Sequence, residues 1–157
     1  MTTTQAIRPS SRFHRRPPGR FRVESPKVLL VEDHQSLRET LTRSLEENGC
    51  EVVGASDGAR GFREFLRNTP DIVVLDVQLP DVHGLKVLGE IRQREPDIPI
   101  VIMTTTMAPV YSAIPSVVVL RKPFVPEKFL EEVRRALSNA KKRCGTSARR
   151  RRLRRPD

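Results

Sequence analysis

The stretch KVLLVEDHQ, Lys27–Gln35, decides the fold. Val28–Val31 is an apolar run with no polar alternation, the pattern of a strand buried on both faces. It runs directly into two acids, Glu32 and Asp33. Adjacent carboxylates at the end of a buried strand repel each other unless water or a cation offsets their charge. The pair therefore either lies in water at a sheet edge or holds something positive.

Outward from this strand, helix and strand patterns alternate. Leu37, Leu41 and Leu45 recur every four residues, one face of a helix that Asn48-Gly49 ends. Glu51–Ala55 is the second strand, and Phe62, Phe65 and Leu66 mark the second helix. Asp71–Asp76, DIVVLD, is a third strand that again stops on a carboxylate. Leu85, Val87, Leu88 and Ile91 mark a third helix, Ile98–Met103 a fourth strand and Val117–Leu120 a fifth. Phe129, Leu130, Val133 and Leu137 mark the last helix. Apolar strands separated by helices predict an α/β fold, a parallel sheet covered on both faces.

Charge divides the chain into three parts. Residues 1–26 are rich in Arg, Ser, Thr and Pro and carry a net charge of +5; residues 27–140 carry −3; residues 141–157 carry +8. The overall +10 thus describes the ends and not the acidic centre. The expected organisation is a disordered basic N-terminal segment over 1–26, a folded domain over 27–140 and an Arg-rich tail over 141–157. Two cysteines, Cys50 and Cys144, are too few for a disulfide framework and have no metal-site spacing. No apolar run approaches the roughly 18 residues of a membrane span, and no signal-peptide core is present. A reducing, cytoplasmic setting is expected.

The polar residues of the folded part fall at one kind of place. Glu32 and Asp33 follow the first strand, Asp76 ends the third, Thr104 follows the fourth and Lys122 the fifth. In a parallel sheet these are all carboxyl ends, the edge where open α/β sheets bind ligands. Three carboxylates suit a hard dication such as Mg²⁺. A hydroxyl and an ammonium suit a phosphoryl group beside it. Singly, each residue has a plainer reading: Asp33 as a helix cap, Asp76 as a turn residue, Thr104 as a strand residue, Lys122, His34 and His83 as solvated side chains. Their joint occurrence at one edge favours a site.

In this order, VLLVEDH, DIVVLDVQLPDVHG, IPIVIMT and VVLRKPF resemble a response-regulator receiver domain of two-component signalling over residues 27–140. The resemblance implies a flavodoxin-like, doubly wound five-stranded sheet of order 2-1-3-4-5. It implies that Asp76 is the phosphoacceptor for a sensor histidine kinase or phosphotransfer protein. Glu32, Asp33, Asp76 and the backbone carbonyl of Gln78 would hold Mg²⁺. Lys122 would pair with the phosphoryl oxygens and Thr104 would sense them. Pro123 would follow Lys122 through a cis bond. Such a domain is not a conventional enzyme, but it promotes its own phosphorylation and dephosphorylation.

The chain departs from the family between Thr104 and Lys122. Pro109 and Pro115 break the helical pattern, so the fourth helix is expected to be short, 3₁₀-like or absent. Val119 stands where the family places an aromatic residue on the fifth strand, and Tyr111 is a candidate replacement from the loop. Thr105 stands where the family prefers a small residue. A β-branched side chain there is expected to hinder water and lengthen the phosphorylated lifetime. No pattern of a second folded domain follows residue 140. The expected output is therefore a stand-alone receiver that switches binding of a downstream protein. Alternatives are nucleic-acid binding through the Arg-rich ends, which would weaken steeply with salt, contact with an anionic membrane surface, and a fixed, phosphorylation-independent interaction module.

Overall fold

The computed structural model describes residues 25–106 and 109–152. Among the described residues, five strands alternate with five helices. β1 is Lys27–Val31, α1 Gln35–Glu47, β2 Glu51–Ala55, α2 Gly58–Asn68 and β3 Ile72–Asp76. α3 is Gly84–Arg94, β4 Ile100–Thr104, α4 Pro109–Ser112, β5 Val117–Arg121 and α5 Pro126–Arg152. The sheet order is β2-β1-β3-β4-β5, the expected 2-1-3-4-5. Every neighbouring pair is parallel.

The strand sequences explain the layers. Alternate residues point to opposite faces, and here both faces are apolar. Val28, Leu30, Val74 and Met103 pack with Leu41 and Leu45 of α1 and with Phe129 and Val133 of α5. Leu29, Val31, Val73 and Ile102 pack with Phe65 of α2 and with Val87, Leu88 and Ile91 of α3. Strands buried on both sides have no room for polar alternation.

Small shifts in the expected boundaries have physical causes. Asp71 lies just outside β3, where its carboxylate accepts the Lys27 N–H at 2.8 Å. β4 begins at Ile100 rather than Ile98, because Pro99 has no N–H to give the ladder. Leu66 was expected on the buried stripe of α2 but is 45% exposed. The stacked pair Phe62 and Phe65, with ring centroids 6.2 Å apart, sets that stripe instead.

The helix ends are tied down by local chemistry. Gly49 ends α1 at φ +90°, a conformation natural to glycine. The Asp57 carboxylate accepts the Arg60 N–H at 2.8 Å and caps α2. Asp81, from the β3–α3 loop, accepts the Gly58 and Ala59 N–H groups, both at 2.8 Å. The Gly58 bond, followed by others from the backbone, holds the Asp81 carboxyl below its usual range. The loop after β3 is thereby fastened to the start of α2.

α4 is a single turn of four residues, as the two prolines require. Tyr111 on it is buried in the same apolar cluster as Ile102, with Val119 packed against that cluster. The turn before β5 is held by Arg92, whose guanidinium donates to the carbonyls of Ile98, Pro115 and Ser116 at 2.6, 3.1 and 3.3 Å. α5 continues without a break to Arg152, so the boundary expected at residue 140 falls inside a helix. Among the described residues, no helix is long and apolar enough to cross a membrane. The expected disorder of segment 1–26 concerns residues that, but for the last two, lie outside those described.

Candidate phosphoryl and metal site

The carboxyl ends of β1, β3, β4 and β5 bring Glu32, Asp76, Thr104 and Lys122 to one edge. The ladder continues one residue past the strands and fixes their heights. The Glu32 N–H donates to the Ala55 carbonyl at 3.0 Å, Val77 N–H to Met103 at 3.1 Å and Lys122 N–H to Thr104 at 2.7 Å. Gly84 lets α3 start hard against the end of β3. A Cβ there would lie 2.4 Å from the Asp76 carbonyl oxygen and 2.7 Å from the Val77 Cα. Backbone atoms cannot yield to such a contact, so only glycine fits.

Lys122 joins the acids. Its Nζ lies 2.6 Å from Asp76 Oδ2 and 2.8 Å from Glu32 Oε2. Glu32 is fully buried, and Asp76 and Thr104 are nearly so. The peptide bond between Lys122 and Pro123 is cis. Asp76 Oδ1 accepts the backbone N–H of Gln78 at 2.8 Å, so both oxygens of that carboxylate are engaged.

Burial pushes the Glu32 carboxyl above its ordinary value, and the Asp76 charge adds to this; Lys122 opposes both without cancelling them. Burial alone would lower the Lys122 ammonium, but the hydrogen bonds it donates to Asp76 and Glu32 outweigh this and the net shift is upward. One ammonium is shared between two carboxylates. It is therefore strongly held, while burial keeps charge on Glu32 unfavourable.

Asp33 does not cap α1. The N-cap position belongs to His34, whose side chain makes no capping bond. Instead His34 Nδ1 lies 3.2 Å from Asp33 Oδ1 and 3.5 Å from Glu32 Oε1. One donor atom from each of Glu32, Asp33 and His34 lies within 4.8 Å of the others. His83, expected to be merely solvated, caps α3 by accepting the Leu85 N–H at 3.3 Å.

Not every sequence candidate joins this cluster. The Thr104 hydroxyl sits at the right edge but is bonded to Thr106, donating to its carbonyl at 3.0 Å and accepting its N–H at 3.1 Å. Thr105 is exposed beside it. Tyr111 and Val119 belong to the apolar packing under α4. His34 was expected to be merely solvated, and one contributor escaped the sequence reading: Arg38, whose Nη1 donates to the Glu32 carbonyl at 2.6 Å and the Asp33 carbonyl at 3.2 Å. The signal was present, since Arg38 lies one helical turn after His34, a spacing that returns a side chain to the helix start.

Buried carboxylates, an ammonium and a hydroxyl at the switch-point edge of a parallel sheet are groups of the kind that a phosphoryl group and a dication would require. The response regulator receiver domain family model matches residues 28–134. The chain belongs to this family. Acceptance of a phosphoryl group in two-component signalling is what receiver domains do. The chain is similar to the response regulator MprA of Mycobacterium leprae (strain TN), 34% identical over 120 residues, covering 73% of this chain and 52% of that protein. It is also similar to the transcriptional regulatory protein PrrA of Mycobacterium tuberculosis (strain ATCC 25618 / H37Rv), 37% identical over 82 residues, 52% of this chain and 35% of the relative. The chain thus spans about a third to a half of the length of these relatives. Among solved structures, the chemotaxis protein CheY4 of Vibrio cholerae is 29% identical with a TM-score of 0.67, covering 71% of this chain and 98% of that one. NtrX of Brucella abortus shares the fold at a TM-score of 0.72 and 23% identity, over 79% of this chain and 29% of that chain.

Proposed function

We propose that this receiver domain is a phosphorylation switch whose acceptor is Asp76, loaded by a sensor histidine kinase or phosphotransfer protein. The observation that carries the reading is the Lys122 ammonium 2.6 Å from Asp76 Oδ2 in a nearly closed cluster. An Asp76 carboxylate oxygen attacks phosphorus, the bond to the donor breaks and an acyl phosphate forms. Lys122 stays at hand to pair with the phosphoryl oxygens. The Gln78 N–H orients the carboxylate through Oδ1.

The donor set fits a dication, because donor atoms of Glu32, Asp33 and His34 lie within 4.8 Å of one another, and Lys122 ties Glu32 to Asp76. Glu32, Asp33, Asp76 and the Gln78 carbonyl would hold Mg²⁺. When bound, it supplies neutralising charge to the transferring phosphoryl oxygens. Thr104 takes its sensing role in this reading by leaving Thr106 for the phosphoryl group, and the result is altered binding of a downstream protein. A cytoplasmic location belongs to the same reading, with Cys50 as a buried free thiol.

One observation favours a second output. α5 carries the basic residues Lys141–Arg143 and Arg149–Arg152 on the end of one continuous helix, over a stretch of about 18 Å. Such a stretch neutralises nucleic-acid phosphates without reading sequence. Loss of low-salt nucleic-acid binding on deletion of residues 141–157 supports this output, and unchanged binding removes it.

The primary reading is tested by intact mass after incubation with acetyl phosphate, with and without Mg²⁺, on wild type and Asp76→Asn. The expected result is a Mg²⁺-dependent gain of one phosphoryl group that the variant lacks. Equal gain by the variant would place the acceptor elsewhere. No gain by folded wild type, from acetyl phosphate or from a phosphorylated kinase, would leave a fixed interaction module.

A further inference from the structure

We propose that His34 is a ligand in the dication pocket and turns its preference from Mg²⁺ toward first-row transition dications such as Mn²⁺. This rests on the reading of the pocket as a dication site.

Three donor atoms face one another: Glu32 Oε1, Asp33 Oδ1 and His34 Nδ1. The nitrogen is 3.2 Å from the Asp33 oxygen and 3.5 Å from the Glu32 oxygen, and all three fall within 4.8 Å. Neighbouring ligands on an octahedral ion with bonds of roughly 2.1 Å stand about 3.0 Å apart. The two separations that involve His34 Nδ1 already come close to that spacing.

Division of labour on Glu32 leaves the right oxygen available. Oε2 is taken by Lys122 at 2.8 Å, while Oε1 faces His34 and accepts its backbone N–H at 3.2 Å. The His34 backbone is fixed on its other side, where its carbonyl accepts the Arg38 N–H at 2.9 Å. Arg38 also grips the carbonyls of Glu32 and Asp33. All three donors therefore project from one braced stretch of backbone. The imidazole is 75% exposed, so it can exchange a carboxylate hydrogen bond for a metal bond without moving through packed side chains.

The chemistry of the added donor sets the selectivity. Mg²⁺ takes oxygen ligands and gives up water reluctantly. Imidazole nitrogen favours transition dications, and affinity rises along that series from Mn²⁺. A pocket of carboxylates alone has a weaker bias of this kind. Adding His34 Nδ1 raises transition-metal affinity while giving Mg²⁺ little.

The test uses the full chain with Mn²⁺ and Mg²⁺ as probes. Pulsed EPR of bound Mn²⁺ reads directly coordinated ¹⁴N, and calorimetric titration gives the affinity for each ion. The wild type is expected to show nitrogen coupling that His34→Ala loses. The Mn²⁺-to-Mg²⁺ affinity ratio is expected to fall about ten-fold in that variant, the scale of losing one supporting group at a metal site. Asp33→Asn is expected to weaken both ions, which locates them in the pocket. Bound Mn²⁺ without nitrogen coupling, or an unchanged ratio in His34→Ala, overturns the role of His34 and leaves the Mg²⁺ reading intact. Retained nitrogen coupling in His34→Ala overturns it equally. Failure of both ions to bind wild type overturns the dication reading and this inference together.

Discussion

The Lys122 ammonium lies 2.6 Å from the Asp76 carboxylate across 46 residues of sequence. The same ammonium reaches buried Glu32 at 2.8 Å. One cation thus holds together the ends of β1, β3 and β5. Removing one partner of a buried ion pair leaves the other charge uncompensated, at a cost of about 3–5 kcal/mol.

Lys122→Met should therefore destabilise the metal-free domain. The Lys122 side chain is 17% exposed, and partial access to water puts the loss near the lower end, about 3 kcal/mol. In a chain of this size that corresponds to a fall of about 6–12 °C in Tm. Mg²⁺ should restore more stability to the variant than it adds to wild type, because two carboxylates then lack any other counter-charge. Thermal unfolding with and without millimolar Mg²⁺ measures both effects. An unchanged Tm in the absence of metal would show that the ion pair does not hold the sheet edge.

Glu32 gives a pH dependence of definite sign. Its pKa in the folded domain is raised above the ordinary 4.5. Between those two values the native state binds more protons than the unfolded chain, so stability falls as pH rises through that window. Glu32→Gln removes the titration and leaves Lys122 paired one-to-one with Asp76. The metal-free variant should be more stable than wild type at pH 7, and the gap should close as pH falls toward 4. Urea unfolding across this range tests it; a gap that widens at low pH would reverse the assignment.

The strands and the site edge were legible in the sequence for a simple reason. Apolar runs ending on Asp76 and on Glu32–Asp33 state both where a buried strand lies and where it stops. The shortened α4 was legible because Pro109 and Pro115 constrain backbone directly. What escaped depends on side-chain reach. Whether Asp33 caps α1 or meets His34 is a choice of rotamer, which no periodicity records. That Asp81 caps α2 is a contact across 23 residues of sequence. The passage of α5 through residue 140 was hidden because a charge run describes composition and not conformation. Leu66 has the right residue type on the wrong side of its helix.

Thr105 supplies the last prediction. The Thr104 hydroxyl closes on Thr106 in both directions, at 3.0 and 3.1 Å, and holds Thr105 in a tight turn at the rim of the site. A phosphorylated Asp76 decays by attack of water on the acyl phosphate. The expectation is that a β-branched side chain at position 105 hinders the approach of that water more than a smaller residue does. Thr105→Ala should shorten the phosphorylated half-life several-fold. Its stability should change little, since Thr105 is exposed and such substitutions usually stay within about 0.5 kcal/mol. The decay is followed by intact mass after acetyl phosphate is removed, with Tm measured alongside. A half-life equal to that of wild type in an equally stable variant would assign control of water to another group at the rim.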